Sequence, residues 1–479
     1  FREDIDADYG RFTVLSAGKH TGVLSYQETI LKAIWELPYS NNPEAARAYD
    51  DAREEAQNNS TPGEIASLQH AVEIDPKFAR AWLWLAETYK FTRQLDLALE
   101  AYRKAIEVAP QEAVSYKALG LTLMGMREFE EAIPVWQDFT KIFPDDSDGP
   151  ANLATCLSRT NRYMEVVSTL ENALAMNPGR AGLQLQLGTA YLQIGRDDKA
   201  ISAFQRAIEL GSDSNALQSD RLNTVAYELA EKSVGLPQAL NFAKKAVLDE
   251  EEQSNEIDVK LSDSRAFAAS NRLAAYWDTL GWVQFKLGKL DEAETYLKAA
   301  WIVTQSAEVG DHLGQVYEKL GKKQQAARAY RLALEAMGRN DDPQMRSRLK
   351  SSIGALSNGA KVNSAIKDSS VEMSEERTVK LSGIRNWGGG YKSAEYVVAF
   401  TKESGVEETK FVSGAEELRN ASPALKALNS SLPFPDKSLG RIVRRGVLSC
   451  SVVAKGCIFV FYPAESATQA LFGIPLVQQ

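Results

Sequence analysis

The chain has 479 residues, of which 44% are hydrophobic and 25% are charged, and its formal net charge at pH 7 is −9. These are ordinary values for a soluble folded protein. The charge argues against nucleic-acid binding, whose usual footprint is a basic stripe, and no stretch approaches the roughly 20 apolar residues that a transmembrane helix needs.

The first 40 residues contain short alternating runs of apolar and polar residues. These runs are Arg11–Leu15 and Gly22–Tyr26, with Gly18 and Gly22 between them. Such a pattern is typical of a β-hairpin or of the end of a β-domain. We therefore predict an N-terminal β-hairpin or extended segment over residues 1–40.

From residue 41 the sequence repeats with a constant step. The interval is 34 residues (110 − 76, 144 − 110 and 178 − 144) between the prolines Pro76, Pro110, Pro144 and Pro178. A step of this length is typical of a solenoid in which each helix pair contacts mainly its neighbours. Proline cannot continue the second helix of a pair, so the chain turns into the next unit there.

The apolar positions of each unit resemble the tetratricopeptide repeat (TPR). In one unit they are Trp82, Leu85, Ala86, Tyr89, Ala98, Tyr102 and Ala105. The pattern predicts about eight helix pairs over residues 41–355. It breaks at 249–272, where we predict an irregular insertion whose acidic opening Asp249–Glu252 is a solvated loop rather than a cation site.

The C-terminal part changes from a helical to a strand period. Residues 356–373, rich in Ser, Asn and Lys, are predicted to be a linker. Residues 374–479 then predict a largely antiparallel α+β domain. Its elements are the strands Thr378–Leu381, Glu395–Phe400 and Thr409–Val412, a helix Ala415–Leu428, and a hairpin of Arg441–Val453 and Cys457–Tyr462.

The cysteines and histidines give little support to catalysis. On the predicted final hairpin, Cys450 and Cys457 lie opposite each other if Ser451 pairs with Gly456. A disulfide, which implies an oxidising compartment, and two separate buried thiols both fit this placement. The three histidines are His20, His70 and His312, and we expect each to be structural or exposed. No spacing typical of a zinc site or a catalytic triad is present, so we predict a non-catalytic chain without a cofactor or metal.

A second resemblance covers the region from Asn41 onward. The segments LNTVAYELAEKSVGLPQALNFAKKAV and AAYWDTLGWVQFKLGKLDEAETYLKAAW, and the C-terminal RIVRRGVLSCS, resemble the TPR and C-terminal regions of exported bacterial transglutaminase-like/TPR multidomain proteins. The resemblance implies export. The transglutaminase-like core with its Cys–His–Asp set is absent from this sequence, so no enzymatic activity is carried over from that family.

In TPR proteins the first helices of successive pairs line a concave groove. That rule assigns a partly apolar set of groove candidates. They are Arg80, Leu83, Glu87, Lys90, Lys117, Leu121, Met124, Thr155, Arg159, Leu185, Thr189, Gln193, Asp278, Trp282, Phe285, Lys286, Asp311, Gln315 and Glu318. Several of these side chains could equally pack inside the superhelix.

Three functions follow from these patterns. The first is a non-catalytic scaffold that binds a peptide or protein in the TPR groove. The second is a self-assembling structural protein, since open-ended solenoids and unpaired strand edges allow head-to-tail contacts. The third is the non-catalytic part of a longer transglutaminase-like precursor. The expected partners are proteins or peptides, including copies of the chain itself, and not nucleic acid.

Overall fold

The computed structural model describes residues 2–6, 11–15, 34, 36–211, 218–256, 263–337, 342–356, 369–382, 384, 390–431, 434–435, 440–452 and 456–462. The chain divides into two compact units, Phe1–Leu210 and Gly211–Gln479. The predicted run Gly22–Tyr26 lies outside the described residues.

The described part of the first unit contains a strand pair followed by five helix pairs. Strands β1 (Arg2–Asp6) and β2 (Arg11–Leu15) pair antiparallel, with Arg2 opposite Leu15. The helices are α1 (Pro43–Gln57), α2 (Thr61–Ile74), α3 (Ala79–Phe91), α4 (Leu95–Val108), α5 (Ala113–Gly125), α6 (Phe129–Ile142), α7 (Asp148–Arg159), α8 (Tyr163–Met176), α9 (Ala181–Gln193) and α10 (Asp197–Glu209). The predicted helix-pair repeat is therefore present in this unit.

The turn inside each pair repeats as regularly as the prolines. A residue with left-handed backbone ends the first helix of all five pairs, at Asn59, Arg93, Arg127, Asn161 and Gly195, with φ of 60–70°. This conformation lets the amide after the left-handed residue reach back to a carbonyl of the last helical turn, as Gln94 N does to Tyr89 O at 2.9 Å. A non-glycine side chain there costs about 1 kcal/mol, so the closed turn and the packing of both helices must outweigh it.

Glycines at the crossing points let paired helices approach closely. A methyl group added at Gly120 would lie 2.5 Å from the ring of Trp136, and one at Gly188 would lie 2.4 Å from the ring of Phe204. Both rings are fully buried. The aromatic side chain of the paired helix therefore requires glycine at both positions.

The described residues of the second unit include three more helix pairs and one further helix before the sheet. They are α11 (Gln218–Lys232), α12 (Leu236–Asn255), α13 (Asp263–Lys286), α14 (Leu290–Thr304), α15 (Ala307–Lys319), α16 (Lys323–Ala336) and α17 (Pro343–Leu356). Helices α12 and α13, with 20 and 24 residues, are the longest in the described chain. Within the predicted irregular insertion 249–272, residues 249–255 and 263–272 instead extend these two helices, and residues 257–262 lie outside the described residues.

The acidic run in this region is partly buried rather than solvated. Glu250 and Glu251 are 0% and 4% exposed. The guanidinium of Arg272 on α13 binds Glu250 with two hydrogen bonds of 2.9 and 3.1 Å. Burial raises the pKa of Glu250, and Arg272 opposes that shift. The Arg272 cation on α13 therefore stabilises Glu250, whereas the sequence analysis predicted that water would solvate this acidic run.

The C-terminal part of this unit is a five-stranded antiparallel sheet. Its strands are β3 (Thr378–Leu381), β4 (Tyr391–Thr401), β5 (Gly405–Gly414), β6 (Arg441–Ser451) and β7 (Gly456–Phe461), in the order β3-β7-β6-β4-β5. Helix α18 (Ser369–Glu376) precedes it, so the end of the predicted linker 356–373 is helical. The predicted helix Ala415–Leu428 is instead three short pieces: a 3₁₀ turn Glu416–Leu418, α19 (Ser422–Leu425) and a 3₁₀ stretch Lys426–Ser431. Pro423, which cannot donate a helical hydrogen bond, lies in the first turn of α19.

One face of the sheet packs on the extended helices α12 and α13. Ala266 and Phe267 of α13 form a buried cluster with Val397, Ala399 and Val443 of the sheet. Two hydrogen bonds fix the contact: the Val443 amide donates to Ser270 Oγ at 2.7 Å, and the Arg441 amide donates to Ser254 Oγ at 3.0 Å. The C-terminal sheet therefore packs on the segments by which α12 and α13 exceed the other helices in length.

Candidate functional site

In the first unit, the predicted groove residues form a partly apolar surface. Leu121 and Met124 on α5 and Leu185 on α9 are half-buried. The Lys117 ammonium binds Asp146 and Asp148 at 2.8 and 2.6 Å. These two hydrogen-bonded carboxylates raise the pKa of Lys117, although burial alone would lower it.

The remaining candidates in this unit differ in exposure. Glu87 and Lys90 pair at 2.7 Å. Arg159 and Gln193 are exposed, and Thr155 and Thr189 are half-buried with hydroxyls that donate to carbonyls of their own helices.

Two candidates in this unit are internal rather than groove residues. Leu83 is 0% exposed. Arg80 is 5% exposed, donates to the hydroxyl of Tyr49 at 2.9 Å and lies over the rings of Tyr39 and Tyr49. Arg80 therefore joins the first repeats to each other, and neither side chain faces a partner.

In the second unit, the candidates converge on one polar cavity. The cavity has a volume of about 170 Å³ and lies among the first helices α11, α13 and α15 and the following helix α17. Four predicted residues line it: Trp282, Lys286, Asp311 and Gln315. The others are Tyr227, Glu231, Glu308, His312, Met345 and Arg348.

Stacked rings form one wall of this cavity. The Trp282 indole stacks on the His312 imidazole, with ring centroids 4.0 Å apart and planes at 15°, and on Phe285 at 5.0 Å and 14°. The Lys286 ammonium lies 4.6 Å from the Trp282 ring centroid. Trp282 thus contacts Phe285 on its own helix, His312 on α15 and the Lys286 cation. These contacts form a rigid aromatic wall.

A buried His–Asp pair lies behind this wall. His312 Nδ1 is 3.0 Å from Asp278 Oδ1, and the two residues are 4% and 6% exposed. Burial alone lowers the pKa of His312, but the carboxylates of Asp278, Glu308 and Asp311 outweigh it and raise that pKa. Asp278, a groove candidate, therefore supports the wall from behind instead of meeting solvent.

A second charged pair closes the cavity on the α17 side. The Arg348 guanidinium and the Gln315 amide both donate to Asp311 Oδ2, the amide at 3.0 Å. Burial raises the pKa of Asp311, and Arg348 opposes the shift. Glu318 is exposed at the end of α15 and accepts a hydrogen bond from the Tyr330 hydroxyl.

Two carboxylates occupy the mouth of the cavity. Glu231 accepts the indole N–H of Trp282 at 2.7 Å, and Glu308 accepts the hydroxyl of Tyr227 at 2.6 Å. Both glutamates are exposed. Each therefore has a fixed position and remains accessible to a partner from solvent.

Six of the ten residues that line this cavity are not among the groove candidates predicted from the sequence. Glu231, Glu308 and Arg348 are not in the predicted set because only the fold brings α11, α15 and α17 to one cavity. His312 follows Asp311 directly and was read as an ordinary helix residue. The step between these two repeats is 33 residues (314 − 281), so Asp311 rather than His312 is the repeat equivalent of Asp278, and the repeat alone does not indicate the pair.

The final hairpin and the described chain as a whole add three facts. Cys450 pairs with Cys457 across β6 and β7, and the two form a disulfide, while Cys156 is a buried free thiol. No group of three or more metal-ligating side chains occurs among the described residues. None of the helices searched there is both long and apolar enough to cross a membrane.

Comparisons with known proteins bear on the repeats alone. Two family models described as tetratricopeptide repeat match, one over residues 162–219 and the other over 79–112, 274–300 and 311–336. No curated protein matches the chain.

Solved structures with some similarity include MamA and YrrB. MamA is 20% identical over 35% of this chain and 91% of its own, with a TM-score of 0.31. YrrB, titled a TPR protein with an unusual peptide-binding site, is 22% identical over 39% of this chain and 94% of its own, also with a TM-score of 0.31. The repeat models match helix pairs in both units, so these helix pairs are tetratricopeptide repeats and this part of the chain is a TPR solenoid.

Proposed function

We propose that the chain is a non-catalytic interaction scaffold that binds a peptide or protein segment along the first-helix groove of its second unit. The observation that supports this most strongly is the cavity around Trp282. Fixed aromatic and charged side chains from four helices face one accessible space there, and such preorganised anchors favour binding because little entropy is lost on association.

The test is selection of displayed random peptides on the wild-type chain, followed by affinity measurements on two variants. Gln315→Trp fills the groove at the cavity, and Gln324→Trp places the same side chain on the exposed surface of the second helix α16. We expect Gln315→Trp to weaken binding by roughly tenfold or more and Gln324→Trp to leave it unchanged. Equal binding by both variants would contradict the proposal.

Self-assembly is the alternative, and the described sheet edges do not favour it. Strand β5 has register shifts against β4 at Glu395/Tyr396 and at Ala399/Phe400, and it carries Glu407, Glu408 and Lys410. Strand β3, at the other edge, has four residues. Bulges, charges and short length are the features by which edge strands avoid pairing with another chain. Light scattering after size exclusion tests this: a mass that rises with concentration would favour assembly.

We further propose that the chain is exported. The Cys450–Cys457 disulfide supports this proposal, because such bonds persist in oxidising compartments. Mass spectrometry after alkylation without reductant checks it, and two alkylated thiols at these positions would count against export. Membership of a longer transglutaminase-like precursor remains a separate proposal, which the sequence of the complete gene tests.

A further inference from the structure

We propose that the cavity accepts a lysine or arginine side chain of the bound segment, placed between Glu231 and Glu308. This inference rests on the proposed function and adds the chemical class of the partner. It follows from the balance of charged groups around the cavity.

Two of the four carboxylates at the cavity already have charged or titratable partners. Asp278 lies beside His312, and Asp311 accepts from Arg348 and Gln315. Their hydrogen bonds fix the wall and the α17 side. They are therefore part of the frame of the site and leave little capacity for a ligand.

The other two carboxylates keep most of their acceptor capacity. Glu231 and Glu308 each accept one bond from a neutral donor, an indole and a phenol, and neither forms an ion pair within the described part of the chain. An ionised carboxylate offers about four lone-pair sites, so each can accept a further charged donor. A guanidinium or ammonium group supplies the donors and the charge that are missing.

The electrostatic field around Tyr227 on α11 also favours a basic side chain. Burial raises the pKa of Tyr227, and the negative charges of Glu308, Glu231 and Asp278 raise it further. The cations that line the cavity, Lys286 and Arg348, lie over the Trp282 ring and against Asp311, respectively. A partner carboxylate entering here would meet the same negative field, which disfavours an acidic segment.

Access does not require a movement of the fold. Glu231 lies near the end of α11 and Glu308 in the first turn of α15, and both are exposed. Their positions are nevertheless fixed by Trp282 and Tyr227. A basic side chain can thus reach the cavity from solvent and meet carboxylates that are already oriented.

The experiment uses the peptide-display library on three chains. These are the wild type, the double variant Glu231→Lys/Glu308→Lys, and the control Glu292→Lys/Glu335→Lys. The control makes the same change in net charge at exposed positions on the second helices α14 and α16. All four substitutions are at exposed sites, and circular dichroism checks that the variants fold.

We expect peptides selected on the wild type and on the control to share a Lys or Arg position, and those selected on Glu231→Lys/Glu308→Lys to lack it. Replacing that basic residue by Gln in a synthetic peptide should weaken binding to the wild type about tenfold to a hundredfold.

Two results would overturn this inference and leave the proposed function intact, both for peptides whose binding Gln315→Trp abolishes. The first is that these peptides lack a basic residue. The second is that they bind the Glu231→Lys/Glu308→Lys chain as tightly as the wild type. Failure of the proposed function has a different signature, namely peptides that bind Gln315→Trp as tightly as wild type.

Discussion

At the scale of single residues, the closest helix crossings leave no space for an added methyl group. Gly120→Ala should lower the free energy of unfolding by about 1–3 kcal/mol, because the methyl group would lie 2.5 Å from the buried Trp136 ring. Gly125→Ala makes the same change on the same helix with no atom within 4 Å, and it should be neutral or stabilising by up to about 1 kcal/mol. Urea unfolding of both variants checks this, and equal effects would contradict the packing account.

The protonation of His312 is a second prediction at this scale. Its pKa in the folded chain is raised, so the folded state binds the proton more tightly than the unfolded state. The resulting stability is fully present below the unfolded pKa of about 6.5 and is lost as the pH rises through the folded pKa. We expect the NMR titration midpoint of the His312 imidazole to lie above 6.5.

His312→Gln supplies the control for this titration. The difference in free energy of unfolding between wild type and variant should narrow as the pH rises through the folded midpoint. A midpoint below 6.5, or a difference that does not change with pH, would contradict the Asp278–His312 pairing described above.

At the scale of elements, the contact between α13 and the sheet includes a buried hydrogen bond to the Ser270 hydroxyl, beside the apolar cluster around Phe267. Ser270→Ala should cost about 1–3 kcal/mol, because it leaves the buried Val443 amide without its acceptor. Ser202→Ala is the control: Ser202 is exposed and its hydroxyl donates to the carbonyl four residues back, as that of Ser270 does.

Hydrogen exchange locates the effect of this change. In Ser270→Ala the Val443 amide should exchange faster, whereas in Ser202→Ala it should be unchanged. Slow exchange of that amide in both variants would mean that the sheet does not depend on this bond.

The elements also show what the sequence could predict. The helix pairs follow from a 34-residue period because identical crossings, such as Gly120 on Trp136 and Gly188 on Phe204, require the same small and large residues at fixed spacing. Each of the strands β3 to β7 contains a run that the sequence predicts to be a strand, but β4 is buried without interruption over 396–400 and shows no alternation.

The extensions of α12 and α13 did not follow from the sequence, because their stability depends on contacts distant in the chain. Glu250 reads as a solvated acid until Arg272 is placed beside it, and the apolar Phe267 has no visible partner until Val443 is placed against it. Neither contact has a local sequence signal. The same reason explains why Glu231 and Glu308 were missed, since only the fold brings α11 and α15 to one cavity.

At the scale of the whole molecule, the two units present different chemistry on their first helices. The first unit offers half-buried apolar side chains around Leu121 and Leu185, and the second offers charged groups around Trp282. The second unit also carries the C-terminal sheet on its longest helices. A partner that binds through charge is therefore expected to select the second unit.

The measurement that tests this account most directly is hydrogen–deuterium exchange of the full chain with and without a saturating selected peptide. The account predicts slower exchange in α11 and in the first turns of α15, around Glu231 and Glu308, with no change in α14, α16 or the sheet. Protection confined to the second helices, to the sheet or to the first unit would contradict it.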